Sequence, residues 1–364
     1  MESFRREVRE WLSANLVGEF AGLRGLGGPG REHEAFELRL KWDRHLAAHG
    51  WTCLGWPGGR SIEEQVAFHE EYARAGAPAR VNVVGEGLLG PTLCEFGTPE
   101  QRQRFLPKIR AVEELWCQGY SEPGAGSDLA AVSTRAVLDD GEWVITGQKI
   151  WTSLAHVADW CFVLARTTPG SSRHAGLSYL LVPMHQDGVT VRPIRQLTGT
   201  SEFNEVFFDG ARTAAANVVG EPGDGWRIAM ATLGYERGVA MLGHQVGFQA
   251  QLDGLIAMAG DDPVLRDRLT RSWIELHVMR SHALRTLGEE PGPEASVTKL
   301  FWSGWHRRLG ELAMEVLGPE SMVYEEEMNE WQRLFLFSRA ETIYGGSDEI
   351  QRGIIAHRIL GLPK

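Results

Sequence analysis

Two short segments carry residue types that could do chemistry together. In CQGYSEPGAGSDLAAVSTRA, at 117–136, a strand-like run ends in a Pro/Gly turn followed by Ser127 and Asp128. Gly124 and Gly126 let a ligand approach the backbone closely, and successive N–H groups there can cradle a phosphate. Further along, GQKIWTSLAHVADWCFVLAR at 147–166 places Trp151, Thr152 and Ser153 at the end of one strand, just before another. An indole beside two hydroxyls can wall a flat aromatic cofactor and hydrogen-bond its edge. Each segment alone also fits a plain β turn and a core tryptophan; their occurrence together is what points to a ligand.

The elements that must position these residues follow from hydrophobic period. Residues 1 to about 110 read as helical, with capping-box patterns at Ser61-Ile-Glu-Glu64 and Thr98-Pro-Glu-Gln101, and Pro99 suits a first helical position. A Gly-rich stretch at 22–30 interrupts them as a loop or mobile segment. From about Leu115 to Ala216 the period changes and short β-rich runs appear, EWVITG, WCFVLAR, LSYLLVP, VTVRPI and EVFFD, separated by turn residues. The helical period returns after Gly225. In Lys299–Leu317, Trp302, Trp305, Leu309, Leu312 and Val316 recur at three and four residues. Last helices are expected at Leu334–Thr342 and Ser347–Ile359, joined by a break at YGGS.

Composition narrows the function class. Lys+Arg number 37 against 48 Asp+Glu, a net charge of −11, and the 32 arginines are scattered, so no nucleic-acid footprint is present. No run approaches the roughly eighteen apolar residues of a membrane span, and the charged, amphipathic start lacks the pattern of a secretory signal. Cys53, Cys94, Cys117 and Cys161 stand far apart, the 12 histidines are spread out, and no H-E-x-x-H occurs, so no metal site is expected. Free, mostly buried thiols in a cytoplasmic protein fit best.

SEPGAGSDLA, GQKIWTS and the C-terminal IYGGSDEIQR stand in the order and spacing of the acyl-CoA dehydrogenase family, which the chain resembles over essentially its whole length. Within that family it looks most like the actinobacterial branch acting on large or steroid-side-chain acyl thioesters. The resemblance implies an α+β fold: an N-terminal helical domain (1–112), a central β domain (113–219) and a C-terminal four-helix-bundle domain (220–364). It implies FAD as cofactor, contacted by Gln118, Tyr120, Ser121, Gly126, Ser127, Trp151, Thr152 and Ser153. On the adenosine side it adds Glu315 and Gly318, and at the last contact Ser347 and Glu349, where a helix start offers free N–H groups to a phosphate. Ser127, Tyr235, Arg237, Gly345 and Gly346 fall on substrate-side positions.

The family's reaction is α,β-dehydrogenation of an acyl-CoA to the 2-enoyl-CoA: a carboxylate removes the α-proton while flavin N5 takes the β-hydride. The usual base follows the Tyr of the C-terminal motif, but here that position is Gly345. A minority of members carry the base before an Arg on the first long C-terminal helix, where this chain has Glu236-Arg237. Glu236 is therefore the expected base. The Arg that reaches a neighbouring subunit's FAD has no counterpart in GDDPVLRDRLTRSW at 260–273, and Glu315 replaces the family's Gln. The implied partners are an acyl-CoA, an electron-transfer flavoprotein as acceptor, and either further copies of the chain or a related subunit in a heterotetramer. The alternatives are a non-catalytic or half-site subunit, and a flavin oxidase or monooxygenase on the same fold.

Overall fold

The computed structural model describes residues 1–235, 240–285, 292–324 and 327–363. Helices come first: α1 (Glu2–Asn15), α2 (Phe36–Ala48), α3 (Ile62–Arg74), α4 (Gly90–Phe96) and α5 (Pro99–Arg110). Strands follow: β1 (Trp116–Gly119), β2 (Arg135–Asp139), β3 (Glu142–Ser153), β4 (Trp160–Arg166), β5 (Leu177–Pro183), β6 (Val189–Ile194), β7 (Phe203–Ala214) and β8 (Val218–Val219). Helices then resume as α6 (Gly225–Tyr235), α7 (Ala240–Met258), α8 (Pro263–Arg285), α9 (Glu294–Leu317), α10 (Glu330–Glu341) and α11 (Asp348–Ile354). The order helices, strands, helices is the one the change of period predicts. Among the described residues no helix is long and apolar enough to cross a membrane.

The chain forms two compact units. One comprises Leu26–Arg60 and Pro78–Glu236, the other Met1–Gly25, Ser61–Ala77 and Arg237–Lys364.

The first unit is built on one sheet in the order β6-β7-β3-β2-β4-β5-β8, with β1 added in parallel to β4. The two faces of β4 explain why Trp160–Ala165 is apolar throughout. Cys161, Val163 and Ala165 enter one buried cluster with Val182 and Val206, while Phe162 and Leu164 enter another, with Leu93, Phe105 and Ile228 from the helices. A strand covered on both faces needs no polar alternation. Thr98 caps α5 as predicted, through reciprocal bonds with Gln101. The Gly-rich stretch is tied down: the N–H groups of Gly30 and Glu32 donate to the Glu202 carboxylate at 3.0 Å each. Gly27 sits at φ +80, and a Cβ there would lie 2.2 Å from the guanidinium carbon of buried Arg39.

In the second unit α7, α8, α9 and α10 share a core of Leu252, Leu276, Met279, Trp305, Leu309 and Leu334 with their apolar neighbours. Four of the five residues in the predicted α9 stripe are buried, and Val316 is half-buried. Two helix bounds differ from expectation. α10 starts at Glu330 rather than Leu334, because Asn329 and Gln332 form a capping box. The final helix changes at Ile355 into a π-helical turn that runs to Ile359. Ser61 caps α3 in the predicted box.

Candidate functional site

The two segments that drew attention in the sequence meet in the first unit. The N–H of Ile150 donates to the Ser121 carbonyl at 2.9 Å, joining the turn after β1 to the end of β3. Beneath this junction Lys149 is fully buried. Its ammonium donates to Glu122 Oε1 at 2.8 Å, the Tyr120 carbonyl at 3.0 Å and the Leu164 carbonyl at 2.8 Å. Glu122 also accepts from the Ser133 N–H and hydroxyl, both at 2.7 Å, and from the Thr134 N–H at 2.9 Å. Burial alone pushes the Glu122 carboxyl up, but Lys149 and these donors together bring it down to about 2. Burial pulls the Lys149 ammonium down, and Glu122 opposes that. An ion pair this dry is tolerable only because nearly every donor and acceptor has a partner. Its two members stand inside the SEPGAGSD and GQKIWTS motifs and were not singled out from sequence; the one signal was a Lys and a Glu within otherwise apolar or glycine-rich runs.

The register of β3 against β7 shifts between Lys149 and Thr152, with Lys149 opposite Val206 and Thr152 opposite Asn204. One extra residue on β3 makes a bulge, and Trp151 adopts φ +61 there. Its indole is 57% exposed and meets Phe203 edge-on at 6.4 Å. An exposed large aromatic held in a left-handed conformation is an unfavourable element that packing alone does not require. The bulge is fixed from behind: Asn204 Nδ2 donates to the Thr152 carbonyl at 3.0 Å, and the Leu154 N–H donates to the Glu202 carbonyl at 2.9 Å.

The remaining residues of this half divide by what they offer. Thr152 is buried with Oγ1 lacking any protein partner, and Gln118 Nε2 is likewise buried and unpartnered. Ser153 and Ser121 are half-buried, while Gly126 and Ser127 are exposed, and a Cβ on Gly124 or Gly126 would meet nothing within 4 Å. Tyr120 is different. Its ring is core, edge-on to Phe162 and Tyr179, so only its backbone is turned to the junction. Orphaned polar groups beside open backbone and an exposed indole fit a flat polar ring system with a phosphate arm.

Tyr235 closes α6. Its hydroxyl donates to Glu95 Oε2, and Thr232 meets Thr92 at 2.8 Å, so α6 is pinned to α4 by two side-chain bonds. Burial, and then the Glu95 carboxylate, pushes the Tyr235 phenol well up. Glu236 and Arg237 lie outside the described residues.

The second unit holds the other candidates. Gly345 and Gly346 have φ +63 and +85, and both carbonyls accept from Gln351 Nε2, at 2.9 and 3.2 Å. Ser347 caps α11, and the exposed Glu349 is held below the usual carboxylate range by backbone and Ser347 hydrogen bonds. Asp348 faces Lys299 at 3.6 Å and accepts from the Ser303 hydroxyl at 3.3 Å. Glu315, in the last turn of α9, is ion-paired with Arg268 of α8. Gly318 ends α9 at φ +56 with nothing where a Cβ would stand.

Comparison with known proteins agrees along the whole chain. Profiles for the N-terminal, middle and C-terminal domains of acyl-CoA dehydrogenase match residues 1–113, 117–211 and 223–360. Acyl-CoA dehydrogenase IpdE1 of Mycobacterium tuberculosis (strain ATCC 25618 / H37Rv) is 63% identical over 379 residues, covering 100% of this chain and 98% of its own. The solved structure of the Tcur3481-Tcur3483 steroid ACAD is 30% identical with a TM-score of 0.86, covering 100% of this chain and 97% of that one. The ChsE4-ChsE5 complex from Mycobacterium tuberculosis is 29% identical with a TM-score of 0.84 and the same coverage.

Proposed function

We propose a specific chemistry for this chain, which belongs to the acyl-CoA dehydrogenase family and is an FAD-dependent oxidoreductase: Glu236 removes the α-proton of an acyl-CoA that leaves as the 2-enoyl-CoA. When bound, FAD supplies the acceptor for the β-hydrogen and its electron pair. Gln118, Thr152 and Ser153 would hold its ring edge, Trp151 would wall it, and the backbone from Gly124 to Ser127 would face its phosphates. The observation that carries this reading is the junction of the two motifs, braced by Lys149 and Glu122, where Thr152 Oγ1 and Gln118 Nε2 lie buried with no partner in the protein beside the exposed Trp151.

The assignment of Glu236 rests on position. A carboxylate is a weak base toward a carbon acid, so it must be placed closely and shielded from water. The last residue before it, Tyr235, is anchored by Glu95, which fixes where the chain leaves α6. Gly345 carries no side chain that could serve instead. Arg237 would orient the base and the CoA end of the substrate, and Ser127 would lie along the pantetheine arm.

Assembly with a related chain is part of the same reading. Arg268 neutralises Glu315 within this chain, which supports a half-site on α9 that offers no cation to a pyrophosphate. Two neighbours in fold are titled as two-component proteins, Tcur3481-Tcur3483 and ChsE4-ChsE5. We therefore place this chain as the base-bearing half of a hetero-oligomer, with an electron-transfer flavoprotein reoxidising the flavin.

The test is Glu236→Gln. FAD content should match wild type, while flavin bleaching on anaerobic mixing with an acyl-CoA slows at least ~100-fold. Bleaching at the wild-type rate would remove Glu236 from its role.

A further inference from the structure

Helix α5 carries its basic residues in two sets. Gln101, Phe105 and Ile109 are its buried face, and Phe105 and Ile109 enter the core cluster with Trp116 and Phe162 of the sheet. To one side of that face stand Arg104 and Lys108, both matched by the Glu114 carboxylate at 2.8 to 3.1 Å. To the other side Arg102, Leu106 and Arg110 recur every four residues and share a face of the helix. Arg102 and Arg110 are exposed, and among the described residues no carboxylate pairs with either. The chain has 48 acidic residues against 37 basic ones, so these two cations are not unmatched for want of carboxylates.

Both line an open cleft of about 540 Å³. Its apolar lining includes Leu106 and Pro107 of α5, the half-buried Cys94 of α4 and Trp56 from the chain after α2, and no carboxylate lines it. The two guanidiniums are held at different places. Arg102 Nε donates to the Leu93 carbonyl of α4 at 3.1 Å, whereas the Arg110 guanidinium carbon lies 5.4 Å from the centre of the Trp56 ring. Trp56 is itself fixed: Nε1 donates to the Glu86 carbonyl at 2.9 Å, and a Cβ on Gly90 would run into its ring. Eight residues of α-helix separate Arg102 from Arg110 by about 12 Å along the axis. The field of both reaches the Cys94 thiol, which burial pushes up and the two arginines pull back. The cleft is thus positive toward both ends and apolar between them.

A cleft of this size takes one small molecule. A compact anion would meet one guanidinium and leave the apolar lining wet, and a fatty monocarboxylate would cover the lining and leave one cation unmatched. We propose that the cleft between α4 and α5 binds a dicarboxylate whose two acid groups are joined by an apolar span, one carboxylate on Arg102, the other on Arg110, and the span against Leu106 and Trp56. Arg102 keeps Nε on Leu93 and offers its terminal nitrogens, and Arg110 keeps its place over the indole while its N–H edge meets the second carboxylate. The site uses none of the residues assigned to the flavin or to proton abstraction, so it stands apart from that reading.

Calorimetric titration of the full-length, FAD-loaded protein with decanedioate, decanoate and butanedioate is the test. Decanedioate should bind about tenfold more tightly than decanoate, the increment of one charge-assisted hydrogen bond, and about tenfold or more above butanedioate, which is too short to span the cleft. Raising NaCl to about 0.5 M should weaken the longer diacid more than decanoate, because two exposed pairs are screened instead of one. Arg102→Gln and Arg110→Gln should each bring decanedioate down to the level of decanoate, and the double variant should bind neither measurably. Arg104→Gln, whose charge Glu114 already meets, should leave all three affinities within about twofold of wild type. Equal affinity for decanedioate and decanoate in wild type, no heat with decanedioate at millimolar concentration, a preference that survives in the double variant, or the same loss in Arg104→Gln as in Arg102→Gln each overturns the proposal.

Discussion

Replacing Lys149 with Met keeps most of the side-chain length and removes only the buried ammonium. Three hydrogen bonds disappear, leaving the Tyr120 and Leu164 carbonyls without that donor and the Glu122 carboxylate with Ser133 and Thr134 alone. Removing one partner of a buried pair costs about 3–5 kcal/mol, because the other charge stays behind. With an unfolding entropy of about 2.1 cal/mol/K per residue, a chain of 364 residues has ~0.8 kcal/mol/K in all, so Tm should fall by roughly 4–6 °C. The pH dependence gives a second signature. In wild type the Glu122 carboxyl sits at about 2 against an ordinary 4.5, so its stabilising contribution is intact above 4.5 and lost only as pH falls toward 2. In Lys149→Met the burial that raises this carboxyl is no longer opposed by an ammonium, so protonation relieves the penalty as pH drops. Thermal unfolding followed by circular dichroism at pH 7, 6 and 5 should therefore show the gap to wild type widest at pH 7 and narrowing toward pH 5. The double variant Glu122→Gln/Lys149→Met should be less destabilised than the sum of the two single changes. A Tm within 1 °C or so of wild type at pH 7, or a gap that does not move with pH, would refute the claim that this pair carries the junction.

Two further substitutions separate ligand-directed groups from structural ones. Thr152→Val removes a buried hydroxyl that has no protein partner, so the flavin-free protein should keep its stability or gain up to ~1 kcal/mol, while the FAD dissociation constant rises several-fold; a loss of stability with unchanged FAD affinity, measured by flavin fluorescence, would contradict this. Gly346→Ala imposes φ +85 on a residue with a Cβ and puts that carbon 2.5 Å from Gln351 Nε2, breaking the amide's hold on the loop. It should cost about 1–3 kcal/mol in thermal unfolding, and a variant as stable as wild type would show that Gln351 does not hold the loop.

How far the sequence could be read depended on the range of the interaction. The boxes at Ser61 and Thr98 close over four residues, so the pattern alone locates two helix starts; Asn329 closes the same kind of box with Gln332, and α10 starts at Glu330, four residues ahead of Leu334. The apolar run of β4 and the stripe of α9 were legible because each segment carries its own burial in its own residues. Trp151 could be named as a contact, but its left-handed backbone could not, since a Trp carries no preference for φ +61; the conformation is imposed by the register of a strand fifty residues away. The same holds for Glu202, which ties the stretch at 30–32 to the end of β3 through bonds spanning about 170 residues, and for Lys149 with Glu122. The motifs thus exposed groups that face a ligand and concealed the groups that hold them. Buried supports of this kind are satisfied almost entirely by one another, so changing one leaves several unpaired at once. Substitutions at Glu122, Lys149 and Glu202 should accordingly reduce flavin retention and stability together, whereas changes at Thr152, whose hydroxyl has no protein partner, should move flavin retention alone.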